Sequence, residues 1–121
     1  GAAWCLFVEI DAAARGAIRD NIESLSLFGA TRIHRRSATT MGEIPSSAMP
    51  PYDIAFLDPP YGKDLCNPAL DSLINGGWLN DNAMIVIEQS KVEPAAHDPH
   101  FNEIDRRYYG DTQIGFYRYS K

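Results

Sequence analysis

The segment Asp58-Pro59-Pro60-Tyr61 combines residue types that can hold a flat ring carrying an amino group, and it directly follows the apolar run Ile54-Ala55-Phe56-Leu57. Prolines lack a backbone donor and stiffen the turn, so the Asp58 carboxylate and the Pro59 carbonyl can converge on one point. Both groups accept hydrogen bonds, and Tyr61 offers a face for stacking. The segment indicates a clamp for an exocyclic amine, with a rigid loop as the simpler alternative.

Acidic residues follow three of the predicted strands: Glu9, Asp58 and Glu88. Ligands of open parallel sheets bind at the carboxyl ends of the strands. An acid at a strand end can equally be a helix cap or a loop residue. The prolines after Asp58 favour a ligand site at that position.

The strands that place these acids are predicted from continuous apolar runs. Residues 4–8, 54–57 and 83–87 are typical of strands buried on both faces of a parallel sheet. A shorter strand is predicted over residues 30–34, and residues 37–51, which are rich in Ser, Thr, Gly and Pro, are predicted to form a loop or a broken helix. Residues 101–108 and 112–119 flank Gly110-Asp111 and predict a β-hairpin.

Two helices are predicted between these strands. The first is capped by Asp11 and stopped by Gly29, and the second begins with Asn67 as cap and Pro68 in its first turn and ends at Gly76-Gly77. The apolar face of the first helix consists of Ala14, Ile18, Ile22 and Leu25. The order of elements predicts an α/β fold with a mostly parallel sheet, in a single domain over residues 1–121.

Composition is that of an ordinary globular protein, with 45% hydrophobic and 22% charged residues. No apolar run approaches the roughly 18 residues that a membrane span needs, which predicts a cytoplasmic protein with no membrane partner. The net charge of −5 disfavours a long nucleic-acid footprint made by this chain alone, but is compatible with a local basic patch. Cys5 and Cys66 are predicted to be reduced packing residues.

The Asp58-Pro59-Pro60-Tyr61 segment resembles motif IV of the S-adenosylmethionine-dependent amino-methyltransferases. Its surroundings resemble the RsmD-type enzymes, which methylate the 2-amino group of a guanine in small-subunit ribosomal RNA, and the resemblance covers nearly the whole chain. It implies a Rossmann-like class I methyltransferase fold that ends in an antiparallel β-hairpin. The matching residues are Gly1-Ala2-Ala3, Phe7-Val8-Glu9-Ile10-Asp11, Ile18, Asn21, Gly77-Trp78-Leu79 and Arg107-Tyr108-Tyr109-Gly110-Asp111-Thr112.

The resemblance implies roles for individual residues. Glu9 is expected to accept hydrogen bonds from the ribose hydroxyls of S-adenosylmethionine, Ile10 to pack against its adenine, and Ser37 and Ala38 to lie near the adenine edge. Asp58 contributes to the cofactor site as well as to catalysis. The residues expected to carry catalysis are Asp58, Pro59, Pro60 and Tyr61.

Basic residues near these positions indicate contacts with ribosomal RNA or the small ribosomal subunit. Lys63 lies just past the clamp and is expected to touch a phosphate, as are Arg35 and Arg36. A solvated strand end explains such residues equally well. The two basic clusters consist of Arg32, His34, Arg35 and Arg36, and of Arg106 and Arg107.

The chain departs from the family at its start, because the family's first strand and glycine-rich cofactor loop lie upstream of the residues that match Gly1. We therefore expect a fragment without that strand and loop, with weak or no methyl transfer of its own. In the family the first strand lies between those matching Val8 and Phe56. Its loss leaves two open edges, so we expect either abnormal pairing of the chain's own strands or a homodimer through these edges.

Three other functions remain open on the sequence. Asp-Pro-Pro-Tyr also occurs in adenine amino-methyltransferases that act on DNA or RNA. A phosphoacceptor receiver domain has acids and a lysine in the layout of Glu9, Asp11, Asp58 and Lys91, although Pro59-Pro60 and the terminal hairpin are foreign to that pattern. A non-catalytic interaction module is the third alternative.

Overall fold

The computed structural model describes residues 2–45, 51–60, 64–94 and 98–121. The chain divides into two compact units, residues 1–40 and residues 41–121. The first unit contains β1 (Cys5–Val8), α1 (Ala12–Ser24) and β2 (Thr31–His34). The second contains β3 (Tyr52–Leu57), α2 (Cys66–Asn75), β4 (Leu79–Ser90), β5 (Phe101–Tyr109) and β6 (Thr112–Tyr119). The longest helix has 13 residues, and no helix in these ranges is long and apolar enough to cross a membrane.

The first unit is a parallel strand pair joined by a helix. β1 and β2 pair from Cys5 opposite Thr31 to Val8 opposite His34. The predicted helix cap is confirmed, because the Asp11 carboxylate accepts a 2.8 Å hydrogen bond from the Ala14 N–H. Since parallel strands end at the same edge, the residues that follow β1 and β2 lie on one side of this unit.

The predicted end of the first helix is wrong. α1 ends at Ser24, and Ser26 adopts the left-handed conformation with φ of 56° while Leu27 donates back to the Ile22 carbonyl. Gly29 lies instead in a short 3-10 turn. Leu25 is 67% exposed because it lies past the last helical residue, off the apolar face that buries Ile22.

The second unit is a four-stranded sheet in the order β3-β4-β6-β5. β3 runs parallel to β4, and β6 runs antiparallel to both β4 and β5. The turn between β5 and β6 contains Gly110 with φ of 55°, as the predicted hairpin requires. The predicted α/β fold with parallel strands and a C-terminal hairpin is thus confirmed.

One face of this sheet forms the core together with α2. Its buried members are Cys66, Leu70, Leu79, Ala83, Ile85, Ile87, Phe101, Tyr117 and Tyr119. Burial alternates along β4 and β6, so the opposite face is only partly covered. The expectation of burial on both faces is wrong for β3, where Ile54 and Phe56 are each 65% exposed on the face opposite this core. It is also wrong for β1, none of whose residues is fully buried.

The second helix begins earlier than predicted. Leu65 takes the cap position without a side-chain hydrogen bond, and Cys66, only 3% exposed, is the first helical residue. Packing of Cys66 in the core therefore decides the start, and Pro68 is tolerated because first-turn N–H groups have no partner within a helix. The predicted end is confirmed, since Gly76 closes the helix and Gly77 has φ of 71°.

Four of the described strands have one unpaired edge each, and β1 and β3 are the two at which the sequence predicts an open edge. Among the described residues, β1 pairs with β2 alone and β3 pairs with β4 alone. The described strands pair in parallel and antiparallel ladders, with a register shift in the β3–β4 ladder and another in the β5–β6 ladder. The free backbone groups of these edges are available to a further strand.

Candidate functional site

The carboxyl edge of the second unit carries the described part of the clamp. Asp58 directly follows Leu57, which pairs with Ile87, so Asp58 leaves the sheet level with Glu88, which stays within β4 and pairs with Ile114 of β6. Asp58 and Pro60 are exposed and Pro59 is half-buried. Within the described ranges, the Asp58 carboxylate has no hydrogen bond or ion pair, so it is available to accept from a ligand. Tyr61 and Lys63 lie outside the described residues.

The hairpin turn lies at this same edge. Thr112 pairs with Ser90 at the carboxyl end of β4, and the Lys91 N–H donates a 2.7 Å hydrogen bond to the Asp111 carbonyl. The carboxyl edge of the second unit therefore carries both the Asp58 carboxylate and the turn between β5 and β6.

The carboxyl edge of the first unit carries the predicted cofactor residues. Glu9 extends the ladder through a 3.1 Å hydrogen bond from its N–H to the His34 carbonyl. Its side chain is half-buried and, within the described ranges, has no hydrogen bond. Ile10 is 60% exposed beside it and presents an apolar surface. A free carboxylate next to an exposed aliphatic side chain fits the hydroxyls and the flat base of a nucleoside.

Ser37 and Ala38 follow β2 at this edge. The Ser37 hydroxyl accepts a 3.3 Å hydrogen bond from the Thr39 N–H and lies 2.8 Å from the Thr39 hydroxyl. These contacts, with the Thr40 N–H donating to the Ser37 carbonyl, form a tight local turn. Ala38 is exposed on that turn, and the predicted adenine contacts of both residues stay predictions.

Two of the predicted phosphate ligands lie between β2 and this turn. Arg35 and Arg36 are both exposed, and the Arg36 N–H donates a 2.9 Å hydrogen bond to the His34 carbonyl. They therefore share the edge of the first unit with Glu9. Their contact with RNA stays a prediction.

The two arginines of the second basic cluster differ sharply. Arg107 is exposed, whereas the Arg106 side chain is only 13% exposed and its guanidinium binds Glu103, Gln113 and the Tyr117 hydroxyl. Gln113 is itself buried and donates to the carbonyls of Ser90 and Glu93. Arg106 is thus a structural residue, and the prediction that it belongs to an exposed basic cluster is wrong.

This polar network was missed by the sequence analysis. Side chains alternate between the two faces of a strand, and Gln113 lies on the same face of β6 as the buried Tyr117 and Tyr119. This alternation is the signal that could have indicated the burial of Gln113.

The cysteines supply no thiolate near neutral pH. Cys66 is buried, and burial, followed by the charges of Asp64 and Glu93, raises the pKa of its thiol to about 11. Partial burial also raises the pKa of the Cys5 thiol. Cys66 is confirmed as a packing residue, whereas the same prediction is wrong for Cys5, which is exposed as the first residue of β1. Within the described ranges, no cluster of His, Cys, Asp or Glu is arranged to hold a metal ion.

Comparison with known proteins places the chain in a family. The family described as "Conserved hypothetical protein 95" matches residues 1–118, which is nearly the whole chain. The chain belongs to that family. The chain is also similar to the ribosomal RNA small subunit methyltransferase D of Buchnera aphidicola, with 31% identity over 90 residues, which are 74% of this chain and 46% of that protein.

Two further similar proteins are a curated methylase and a solved structure. An uncharacterised methylase of Rickettsia prowazekii is 36% identical over 69 residues, 57% of this chain and 29% of that protein. The chain therefore spans less than half the length of these curated relatives. The crystal structure of a candidate methylase from Haemophilus influenzae matches with a TM-score of 0.84 and 22% identity, covering 98% of this chain and 74% of that one. This likeness confirms the predicted Rossmann-like methyltransferase fold.

Proposed function

We propose that the chain carries the methyl-donor site and the amine clamp of a methyltransferase that modifies the 2-amino group of a guanine in small-subunit ribosomal RNA. The observation that carries the proposal is the exposed Asp58 carboxylate at the carboxyl end of β3, followed by Pro59 and Pro60. Membership of a family whose curated relatives are named methyltransferases and methylases supports it. The family matches both units, so we infer that they belong to one catalytic domain.

The cofactor of this activity is S-adenosylmethionine, which supplies a methyl group already activated on a sulfonium. Glu9 would hold the ribose hydroxyls through its free carboxylate, and Ile10 would cover one face of the adenine. Ser37 and Ala38 would line the adenine edge from the neighbouring turn. No protein nucleophile is needed, which agrees with the protonated state of both cysteine thiols near neutral pH.

The clamp would activate the amine of the target base. The exocyclic nitrogen of guanine is a poor nucleophile because its lone pair is delocalised into the ring. Hydrogen bonds accepted by the Asp58 carboxylate and the Pro59 carbonyl would favour the pyramidal, reactive nitrogen, and Asp58 would stabilise the positive charge that develops there. Tyr61 would stack on the base, and the stiff turn would hold the nitrogen in line for attack.

The proposal also includes the residues that contact the RNA and the compartment in which the protein acts. Arg35, Arg36 and Lys63 would bind phosphates of ribosomal RNA or of the small ribosomal subunit. Such a substrate places the protein in the cytoplasm.

Removing the Glu9 carboxylate is expected to weaken binding of S-adenosylhomocysteine about tenfold or more, because hydrogen bonds to a charged group are worth about 1.5–3 kcal/mol. The measurement is a two-dimensional amide NMR titration of wild type and Glu9→Gln. In the wild type, shifts should centre on Glu9, Ile10, Ser37 and Asp58. Glu23→Gln, an exposed position at the other end of α1, is the matched control. Wild-type affinity in Glu9→Gln, or no shifts in the wild type, would contradict the cofactor assignment.

We further infer that the free edges of β1 and β3 form a homodimer of this chain. Exposed Ile54 and Phe56 add apolar surface beside the β3 edge. Ile54→Lys should raise the dimer dissociation constant at least about tenfold, because a charge would be buried at the contact. Sedimentation equilibrium measures the dissociation constant. Val92→Lys is the control, because Val92 is 91% exposed and lies past the end of β4 rather than on β3. A wild-type chain that stays monomeric at high concentration contradicts the dimer.

A further inference from the structure

We propose that the end of the β5–β6 hairpin binds unpaired nucleotides of the RNA next to the target guanine. This proposal rests on the proposed function and names the surface that would hold the flanking substrate. The surface, called the tip surface below, consists of Lys91, Arg107, Tyr108 and Tyr109.

The register of the sheet brings the tip surface to the edge where Asp58 lies. Tyr109 pairs with Thr112, and Thr112 pairs with Ser90, next to Lys91. One row deeper, Arg107 pairs with Ile114, and Ile114 pairs with Glu88. Glu88 is level with Asp58, so β5 lies three strand spacings, or about 14 Å, from the Asp58 strand. A strand of a few nucleotides covers that distance.

The chemistry of the tip surface suits unstacked bases. Tyr108 and Tyr109 are large aromatic side chains at the end of β5, and each is 57% exposed. Bases of single-stranded RNA stack on such side chains without regard to sequence. Consecutive strand residues point to opposite faces, so the two rings offer separate stacking positions on either side of β5.

Two cations accompany these rings. The Arg107 side chain is 61% exposed, its Nε donates a 3.2 Å hydrogen bond to the Asp105 carboxylate, and it lies on the same face of β5 as Tyr109. Lys91 is exposed at the end of β4. Both can contact a phosphate, but Arg107 must exchange its Asp105 partner to do so. Stacking is therefore expected to dominate the affinity.

The tip surface is held in place before any ligand binds. The Lys91 N–H donates to the Asp111 carbonyl at 2.7 Å, which ties the hairpin turn to the end of β4. Gln113, 4% exposed, donates to the Ser90 and Glu93 carbonyls at 3.0 and 2.8 Å, and Arg106 binds Gln113 from β5. A preordered surface loses little conformational entropy on binding.

The overall charge favours stacking over phosphate neutralisation. The net charge of −5 disfavours a long electrostatic footprint, and the tip surface itself contains two cations, so few counterions are released where it binds RNA. Each phosphate contact to single-stranded nucleic acid contributes about −0.7 to the slope of log affinity against log salt. Lys91 and Arg107 together predict a slope of log affinity against log salt no steeper than about −1.4, whereas a site that binds through charge alone would give a steeper slope.

The test is fluorescence anisotropy of a labelled, unpaired RNA of about ten nucleotides, a typical single-strand site size, titrated with the full 121-residue chain. Tyr108→Ala and Tyr109→Ala are each expected to weaken binding at least about fivefold. Tyr108→Phe and Tyr109→Phe should restore the affinity, because phenylalanine stacks equally well. The matched control is Ile104→Ala, which removes a large exposed side chain from the far part of β5.

Three outcomes would overturn the proposal: no RNA binding by the wild type, unchanged affinity in both alanine variants, or an equal loss in Ile104→Ala. Amide spectra of each variant verify that it is folded. S-adenosylhomocysteine titrated into the same wild-type sample tests the proposed function separately. If the chain binds S-adenosylhomocysteine but not RNA, only the proposed role of the tip surface is overturned. If RNA binding depends on the tyrosines but S-adenosylhomocysteine does not bind, the proposed methyl transfer is overturned and the RNA contact remains.

Discussion

Replacing Asp58 with alanine is expected to abolish methyl transfer to ribosomal RNA. The loss should reach about 100- to 1000-fold in kcat, the usual effect of removing a group that stabilises developing charge. Affinity for S-adenosylhomocysteine should stay within severalfold, because the proposed ligands of its adenosine part are Glu9 and Ile10, which the substitution leaves in place. The measurement is transfer of a labelled methyl group from S-adenosylmethionine to small ribosomal subunits.

A second readout keeps this prediction testable if transfer by the 121-residue chain is weak. Guanosine added to the wild type should shift the amide resonances around Asp58, and Asp58→Ala should remove those shifts. Asp71→Ala, which removes an exposed carboxylate from α2 in the same unit, is the matched control and should behave as wild type. Near-wild-type turnover in Asp58→Ala would contradict the clamp mechanism.

The elements of the fold could largely be predicted because hydrophobic runs and turn residues are local signals. The apolar run before Asp58 forms β3, and Gly110-Asp111 forms the hairpin turn. The position of Asp58 at a parallel strand's carboxyl end followed from the same pattern. Burial could not be predicted in this way, because it depends on which neighbours cover each face. Phe56 lies in an apolar run and is nevertheless 65% exposed.

The different fates of Arg106 and Arg107 show what a sequence pattern does not contain. The pairing of β5 with β6 shifts by one residue between Glu103 and Asp105, as at a β-bulge. A shift by one residue exchanges the two faces of the following strand segment. It places Arg106 opposite Gly115, where its guanidinium reaches the Tyr117 hydroxyl at 2.6 Å, and it places Arg107 on the open face. No residue type between Glu103 and Asp105 indicates that the register of β5 shifts there.

The candidate site was predictable to a similar extent. Strand order along the chain placed Glu9 and Asp58 at carboxyl ends, and the structure confirms both positions. The local turn that occupies the Ser37 hydroxyl depends on Thr39, which the apolar pattern does not describe. The ligand roles of these residues depend on atoms of the ligands themselves, so they stay predictions until binding is measured.

Gly76→Ala is expected to destabilise the second unit by about 3 kcal/mol, the combined cost of a steric overlap and a lost buried hydrogen bond. A Cβ at this position would lie 2.1 Å from the Gly42 carbonyl oxygen and 2.5 Å from Nε1 of Trp78. These two atoms are joined by a 2.8 Å hydrogen bond, and Trp78 is 2% exposed. The alanine must therefore either separate them, which leaves a buried indole N–H without its acceptor, or displace the backbone at Gly42.

The displacement should also reach the clamp, because the Trp78 carbonyl accepts a 2.8 Å hydrogen bond from the N–H of Tyr52, the first residue of the strand that ends before Asp58. Urea unfolding followed by tryptophan fluorescence measures the loss of stability. Asn75→Ala, an exposed substitution one residue earlier, is the control and should change stability by less than about 0.5 kcal/mol. If Gly76→Ala unfolds at the same urea concentration as Asn75→Ala, the close approach of Gly42 to the end of α2 is wrong, and with it the support that this contact gives to β3.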